Sequence, residues 1–148
     1  MFVPEGFEPP RGLVTDRFTL EPLGPEHNER DHVAWSSSID HIRSSPGYGH
    51  GSSWPHEMSL AENLADLEWH ARDFAARSGF TYSVVAPEGD VVGCVYLYPA
   101  RDEFHDVHVH SWVREPHAEL DLPLREAVVG WLVDSWPFER PLYEPLLD

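Results

Sequence analysis

The chain has 148 residues, of which 41% are hydrophobic and 24% charged, a composition typical of one folded globular domain. Its formal net charge is -16 at pH 7, because 26 acidic residues outnumber 10 basic ones, all of them arginine. This charge excludes a general nucleic-acid binder and disfavours anionic membrane surfaces, since both attract clustered Lys and Arg. No apolar signal segment opens the chain, and the single cysteine, Cys94, cannot form an internal disulfide. We therefore expect a cytoplasmic protein with one domain over 1–148.

The first part of the chain predicts one strand and one helix, followed by a long loop. Phe18 and Leu20 alternate with polar residues over 17–21, which predicts a short strand. Pro25 and the acidic residues after it favour a helix over 27–36. The segment 44–58 is rich in Gly, Ser and Pro, so it predicts a loop that resists regular structure. We expect the first 14 residues to be flexible.

The second part begins with the clearest helix. Ser59 and Glu62 form a capping box, and leucines recur at steps of four and three before Gly79 ends the pattern. Three strands with short connections follow, over residues 80–86, 91–99 and 106–114. A last helix is predicted from about 121 to 136, and a proline-rich tail over 137–148. This order indicates an α+β fold with helices covering a mainly antiparallel sheet.

Two segments resemble the GCN5-related N-acetyltransferase (GNAT) superfamily. The sequence RFTLEPLGPEH over 17–27 is similar to the opening of that family, and GDVVGCVYLY over 89–98 is similar to its central hairpin. The resemblance covers about residues 15 to 136. It implies a GNAT-like sheet, here without the usual C-terminal strands, and acyl transfer from acetyl-CoA to an amine.

The resemblance also implies where the coenzyme is held. The backbone of Trp112 and Val113 would contact the thioester and pantetheine, and Arg114 would contact phosphate. In the family, a glycine-rich loop then wraps the diphosphate. Here the matching segment, 114–121, has no glycine, one proline and three acidic residues, and this composition opposes phosphate binding. The residues therefore leave open a GNAT-like module without coenzyme, which binds a small molecule or a second copy of itself.

One face of the predicted sheet collects chemically active side chains. The period of two places the following residues on one side of two neighbouring strands: Cys94, Tyr96, Tyr98, His108, His110 and Trp112. The apolar residues that alternate with them, Val91 included, are expected on the opposite side. The active face is either a ligand pocket or a homodimer surface, and the acidic charge of the chain favours a small amine as ligand.

We assign His110, His108 and Tyr96 as candidate catalytic residues, because imidazole suits proton transfer near neutral pH and a tyrosine can donate to a leaving thiolate. The candidate substrate-binding residues are Tyr98, Trp54 and Cys94. Each has a plainer interpretation: hydrogen-bonded histidines, packed tyrosines and a cysteine buried as a small hydrophobe. His108 and His110 with Asp106 also have the spacing of metal ligands, although we expect no metal there.

Overall fold

The computed structural model of the protein describes residues 1–48 and 54–144. These residues form one sheet whose strands follow chain order. The strands are β1 (Leu13–Val14), β2 (Thr19–Pro22), β3 (Phe80–Val85), β4 (Val91–Tyr98), β5 (Val107–Val113) and β6 (Pro141–Leu142). The α-helices are α1 (Asn28–Ser36), α2 (Ile39–Arg43), α3 (Leu60–Ala76) and α4 (Asp121–Ser135). Strands β1 to β5 pair antiparallel, and β6 pairs parallel with β5.

The predicted α+β class is confirmed, and the predicted strands and helices lie within a few residues of β2 to β5, α1, α3 and α4. Two strands and one α-helix are not predicted by the sequence pattern: β1, β6 and α2. Each has five residues or fewer, which is too short for a hydrophobic period to stand out. No helix in the described residues combines the length and apolar character needed to cross a bilayer.

The segment 1–14, expected to be flexible, packs on the sheet instead. Val3 is buried, and the ring of Phe2 stacks on that of Phe80 with 5.8 Å between centroids. The Arg77 guanidinium donates to the carbonyls of Pro4 and Phe7 at 2.6 and 2.7 Å. Apolar burial and these hydrogen bonds offset the entropy that a free segment would keep.

The loop and the tail are partly described. Residues 44–48 and 54–58 of the predicted loop contain no strand or α-helix, and 49–53 lie outside the described residues. In the predicted tail, β6 joins the sheet and Tyr143 is buried, with its hydroxyl 2.5 Å from the Ser111 hydroxyl. Residues 145–148 also lie outside the described part of the chain.

The main core lies between the sheet and α4. Alternate side chains of β3, β4 and β5 pack there against the buried face of α4, which presents Leu124, Val128, Trp131 and Leu132. Trp136, just after α4, packs in the same core. This layer fixes the sheet and leaves its other face to the site.

A smaller core on the opposite face contains Val91, which the sequence places on the wrong side. Val85 pairs with Val91 and Val84 pairs with Gly93, so Val92 is an extra residue in β4. This β-bulge shifts the alternation by one residue and turns Val91 toward Cys94.

Replacing a residue of the main core tests this arrangement. Leu124 is completely buried, so Leu124→Ala removes apolar contacts and leaves a cavity. We expect the free energy of unfolding to fall by about 2–5 kcal/mol in urea denaturation. Leu122 on the same helix is 55% exposed, and Leu122→Ala serves as the matched control, with an expected change below about 1 kcal/mol. Equal losses in the two variants would contradict the packing of α4.

Candidate functional site

A cavity of about 1020 Å³ lies over the polar face of β4 and β5, and α1, α3 and the described ends of the loop complete its wall. Five of the predicted site residues line it: Trp54, Tyr96, Tyr98, His108 and His110. The side chains of Trp112 and Val113 are buried in the cores, and Arg114 lies at the end of β5. The face that the sequence assigns to a pocket or a dimer surface therefore borders a cavity that opens to the surface.

The two histidines of β5 lie side by side, with 3.9 Å between ring centroids. The loop backbone at Gly47 lies close above His110. A Cβ at this position would lie 2.7 Å from Nδ1 of His110, which leaves no room for a side chain. The φ of +90° at Gly47 also favours glycine. Burial, and then the neighbouring His108, lower the pKa of His110 to about 4. Burial also lowers the pKa of His108. Both imidazoles are consequently neutral at pH 7, and His110 is a weak base.

The tyrosines of β4 are held by different partners. The indole Nε1 of Trp112 donates to the Tyr96 hydroxyl at 2.9 Å, so Trp112 acts by positioning Tyr96. The Tyr98 hydroxyl donates to Oδ2 of Asp73 at 2.8 Å. Burial raises the pKa of both tyrosines, which keeps their hydroxyls protonated.

Helix α3 contributes two residues to the site that the sequence pattern does not indicate. His70 and Asp73 both contact the Tyr98 hydroxyl. The Nδ1 atom of His70 lies 2.9 Å from its oxygen, and Oδ2 of Asp73 accepts its proton at 2.8 Å. Their i, i+3 spacing puts them on one helix face, next to the buried Leu67. The sequence does show that these two polar residues share a helix face with Leu67. It does not show that this face meets β4, because tertiary packing decides which strand a helix covers.

Asp31 of α1 is the most unusual group in the wall, since it is a carboxylate with 5% exposure. Asn63 donates to its Oδ2 at 3.0 Å and also donates to the Asn28 side chain at 2.9 Å. Burial is the largest effect on Asp31 and raises its pKa from 3.8 to about 6, although the Asn63 hydrogen bond opposes the shift. The sequence predicts the helix but gives no sign that Asp31 is on its buried face.

Cys94 does not reach the cavity. It is 1% exposed and packs with Trp35 and Trp112 in the smaller core. Burial raises the pKa of its thiol well above the usual value, which removes the reactive thiolate. The assignment of Cys94 to substrate binding is therefore corrected, and its buried, hydrophobic interpretation is the one the structure supports.

Solved structures of several acetyltransferases have the same architecture as this chain. A GnaT-family acetyltransferase from Bordetella pertussis is 15% identical, with a TM-score of 0.59 over 90% of this chain and 78% of its own. A ribosomal-protein-serine acetyltransferase from Vibrio cholerae is 14% identical, with a TM-score of 0.67 over 91% and 76%. The microcin self-immunity acetyltransferase MccE, solved with acetyl-CoA and AMP, is 12% identical, with a TM-score of 0.64 over 90% and 70%. The chain has the GNAT fold. No protein-family model matches the sequence, and neither does any curated protein.

In this GNAT-fold chain the segment after β5 does not fit the coenzyme diphosphate. It forms 3-10 turns over Glu115–Leu120 with a kink at His117. The Glu115 N–H donates to the Ser38 hydroxyl and the His117 N–H donates to the Arg114 carbonyl, both at 2.9 Å. Pro116 has no N–H, and the exposed carboxylates of Glu115 and Glu119 repel phosphate. The first three residues of this segment, 115–117, therefore offer no free backbone donor to a diphosphate.

Metal binding has no support from the described ranges, 1–48 and 54–144. No three His, Cys, Asp or Glu side chains in them are grouped to hold an ion. Asp106, considered with His108 and His110 as a ligand set, instead accepts hydrogen bonds from the backbone N–H groups of Glu139 and Arg140 at 2.8–3.1 Å.

The raised pKa of Asp31 predicts a cost in stability. The pKa is higher in the folded chain than in the unfolded one, so the stability that the protonated carboxyl contributes below pH 3.8 is lost as the pH rises through about 6. This loss amounts to about 3 kcal/mol at pH 8. Asp31→Asn keeps an oxygen for Asn63 and escapes the loss.

We therefore expect Asp31→Asn to be more stable than the wild type at about pH 8, by about 1–3 kcal/mol in urea denaturation, and to lose that advantage at about pH 4. The matched control is Asp134→Asn, which removes the same charge from an exposed position on α4. A gain that is equal at both pH values, or equal in the control, would contradict the burial of an ionised Asp31.

Proposed function

We propose that this GNAT-fold protein binds a small amine, as its ammonium ion, in the cavity between α1, α3 and the sheet. The observation that carries the proposal is the buried carboxylate of Asp31 in the cavity wall. Burial of this charge destabilises the fold, and the Asn63 hydrogen bond and the nearby His27 and His32 offset the effect only in part. A bound ammonium ion would supply a stronger partner. With a pKa of about 6, Asp31 is mostly ionised at neutral pH and attracts a cation.

The other charges of the wall have the same sign. Asp66 and Asp73 also line the cavity, while Arg101 is the cation among its described lining residues. The histidines on the β5 side are neutral, because burial lowers the pKa of both. The wall therefore carries three carboxylates against one guanidinium, which favours a cationic ligand over an anionic one.

Aromatic side chains supply the remaining surface. Trp54 packs on Trp35 and Trp112, with 5.6 and 6.0 Å between ring centroids, and Tyr48 lies 5.9 Å from Trp54. Aromatic faces attract cations and bury the apolar part of a small molecule. The cavity volume of about 1020 Å³ suits a small molecule.

An N-acyltransferase that moves an acetyl group from acetyl-CoA to the bound amine is the second candidate. The GNAT fold favours it, and MccE, a structure of this fold, was solved with acetyl-CoA. In that function the backbone of Trp112 and Val113 and the side chain of Arg114 would contact the coenzyme, and His110 and Tyr96 would lie near the amine. It ranks second because the segment after β5 does not fit a diphosphate.

Calorimetric titration with phenethylamine tests the first candidate. We expect the wild type to bind it at about pH 8, and Asp31→Asn to bind it at least about 10-fold more weakly, because the ammonium loses its buried partner. Affinity should fall as the pH drops through about 6, since Asp31 is then protonated. Asp134→Asn is the charge-matched control and should bind within about 2-fold of wild type. Equal affinity in Asp31→Asn and wild type would contradict the proposal.

Titration with saturating acetyl-CoA separates the two candidates. If the segment after β5 cannot hold a diphosphate, we expect no binding heat and no change in melting temperature. Stoichiometric binding that is lost in Arg114→Ala, together with an acetylated amine detected by mass spectrometry, would establish the second candidate instead.

A further inference from the structure

The charges around the cavity are segregated, and the positive ones lie around His110. The carboxylates that line the cavity belong to α1 and α3. Burial lowers the pKa of His110 most, and the ionisable groups that lower it further are His108, Arg101 and Arg125. None of these groups is a carboxylate, although acidic residues outnumber basic ones by 26 to 10 in this chain. The His110 end of the cavity therefore has a positive potential without an acidic partner.

The two guanidinium groups near His110 are only partly compensated. Arg101 lines the exposed rim of the cavity and makes no ion pair within 1–48 and 54–144. Arg125 is 2% exposed and lies outside the wall, where its Nε atom donates to Asp121 at 3.0 Å. Its Nη2 atom is buried and has no hydrogen-bond partner among the described residues. Only one of the two groups is thus paired with a carboxylate, and one of its nitrogens stays without a partner.

The imidazole of His110 is available to a ligand. Its ring forms no hydrogen bond with another described residue, and it lines the cavity beside His108. A neutral imidazole carries one N–H group, which here has no acceptor within the described part of the chain. Burial also has the largest effect on the pKa of His108, but there Glu144 and Asp102 act against Arg101. An anion is therefore favoured at His110 rather than at His108.

The positive end and Asp31 belong to different parts of the same wall, β5 and α1. Tyr96 lies between them: it pairs with His110 across strands that are about 5 Å apart, and Asp31 is one of the charges that act on its hydroxyl. Asp31 is not among the groups that act on His110, so the two sites are separate. The ring of Tyr48 lies 6.0 Å from that of His110 and 5.9 Å from that of Trp54, between centroids. Aromatic surface is thus present for the apolar middle of a ligand that reaches both sites.

We propose that the cavity binds a zwitterion, whose ammonium ion lies at Asp31 and whose carboxylate accepts a hydrogen bond from the imidazole N–H of His110 beside Arg101. This inference rests on the proposed amine-binding function and adds a substrate class to it: amino acids in which an apolar segment separates the amine from the carboxylate. The carboxylate supplies the negative partner that the chain lacks at His110, and a hydrogen bond to an ion is stronger than one to a neutral acceptor. A ligand with the amine alone leaves the positive end without that partner.

The test compares two derivatives of phenethylamine by calorimetry at about pH 8, one with a para-carboxylate and one with a para-carboxamide. We expect the wild type to bind the carboxylate at least about 10-fold more tightly, because only this group is charged. His110→Leu should reduce the preference to within about 3-fold while keeping the affinity for the carboxamide. His110→Gln, whose amide N–H can donate, should restore part of the preference.

A second pair of variants tests the charge at the rim. Arg101→Gln removes an exposed charge and should lower the preference by about 3-fold or more. Arg17→Gln is the charge-matched control, since Arg17 is exposed and lies outside the cavity wall; it should change the preference by less than about 2-fold. Thermal unfolding checks that each variant is folded.

The outcomes separate the two proposals. If both derivatives bind the wild type equally, if His110→Leu keeps the preference, or if phenethylamine binds and the carboxylate derivative does not, the zwitterion site is overturned and the amine site stands. If phenethylamine and both derivatives fail to bind, the proposed function fails and the inference fails with it. An independent measurement follows the ring ¹⁵N signals of His110: they should shift more with the carboxylate than with the carboxamide, and equal shifts would overturn the inference.

Discussion

The hydrogen bond from Asn63 to Asp31 joins α1 to α3 and holds a carboxylate in the wall of the cavity. Its 3.0 Å length and the burial of both residues make it part of the packing rather than a surface contact. Trp35 also donates to Asn63, at 3.0 Å, and thereby ties this polar pair to the smaller core. The cavity depends on these bonds, because they set the distance between the two helices above the sheet.

Such an arrangement is costly for folding and useful for binding. Burial raises the pKa of Asp31 to about 6, which means that the fold is less stable with this carboxyl ionised than with it protonated. The Asn63 hydrogen bond and the nearby His27 and His32 lower the pKa of Asp31 again, but burial outweighs them. Residues that destabilise a fold and line a cavity are characteristic of functional sites, where a ligand supplies the missing interaction.

The GNAT fold is retained here without the phosphate-holding segment that the fold suggests. The main core under α4 accounts for the architecture, and it is built from apolar side chains that carry no information about a coenzyme. In the segment after β5, the N–H groups of Glu115 and His117 donate to the Ser38 hydroxyl and the Arg114 carbonyl. Fold and chemistry are thus decided by different residues, so likeness of architecture does not by itself transfer an activity to this chain.

The sequence by itself determined the strands, the main helices and the residues on the active face of β5, because hydrophobic periods and capping patterns are local. Those periods placed His108 and His110 together and in the wall of the same cavity. Only the tertiary structure decided that Cys94 is buried, that a bulge turns Val91 over, and that His70 of α3 reaches Tyr98 of β4. These outcomes depend on contacts between segments distant in sequence, and no local pattern fixes which helix face meets which strand.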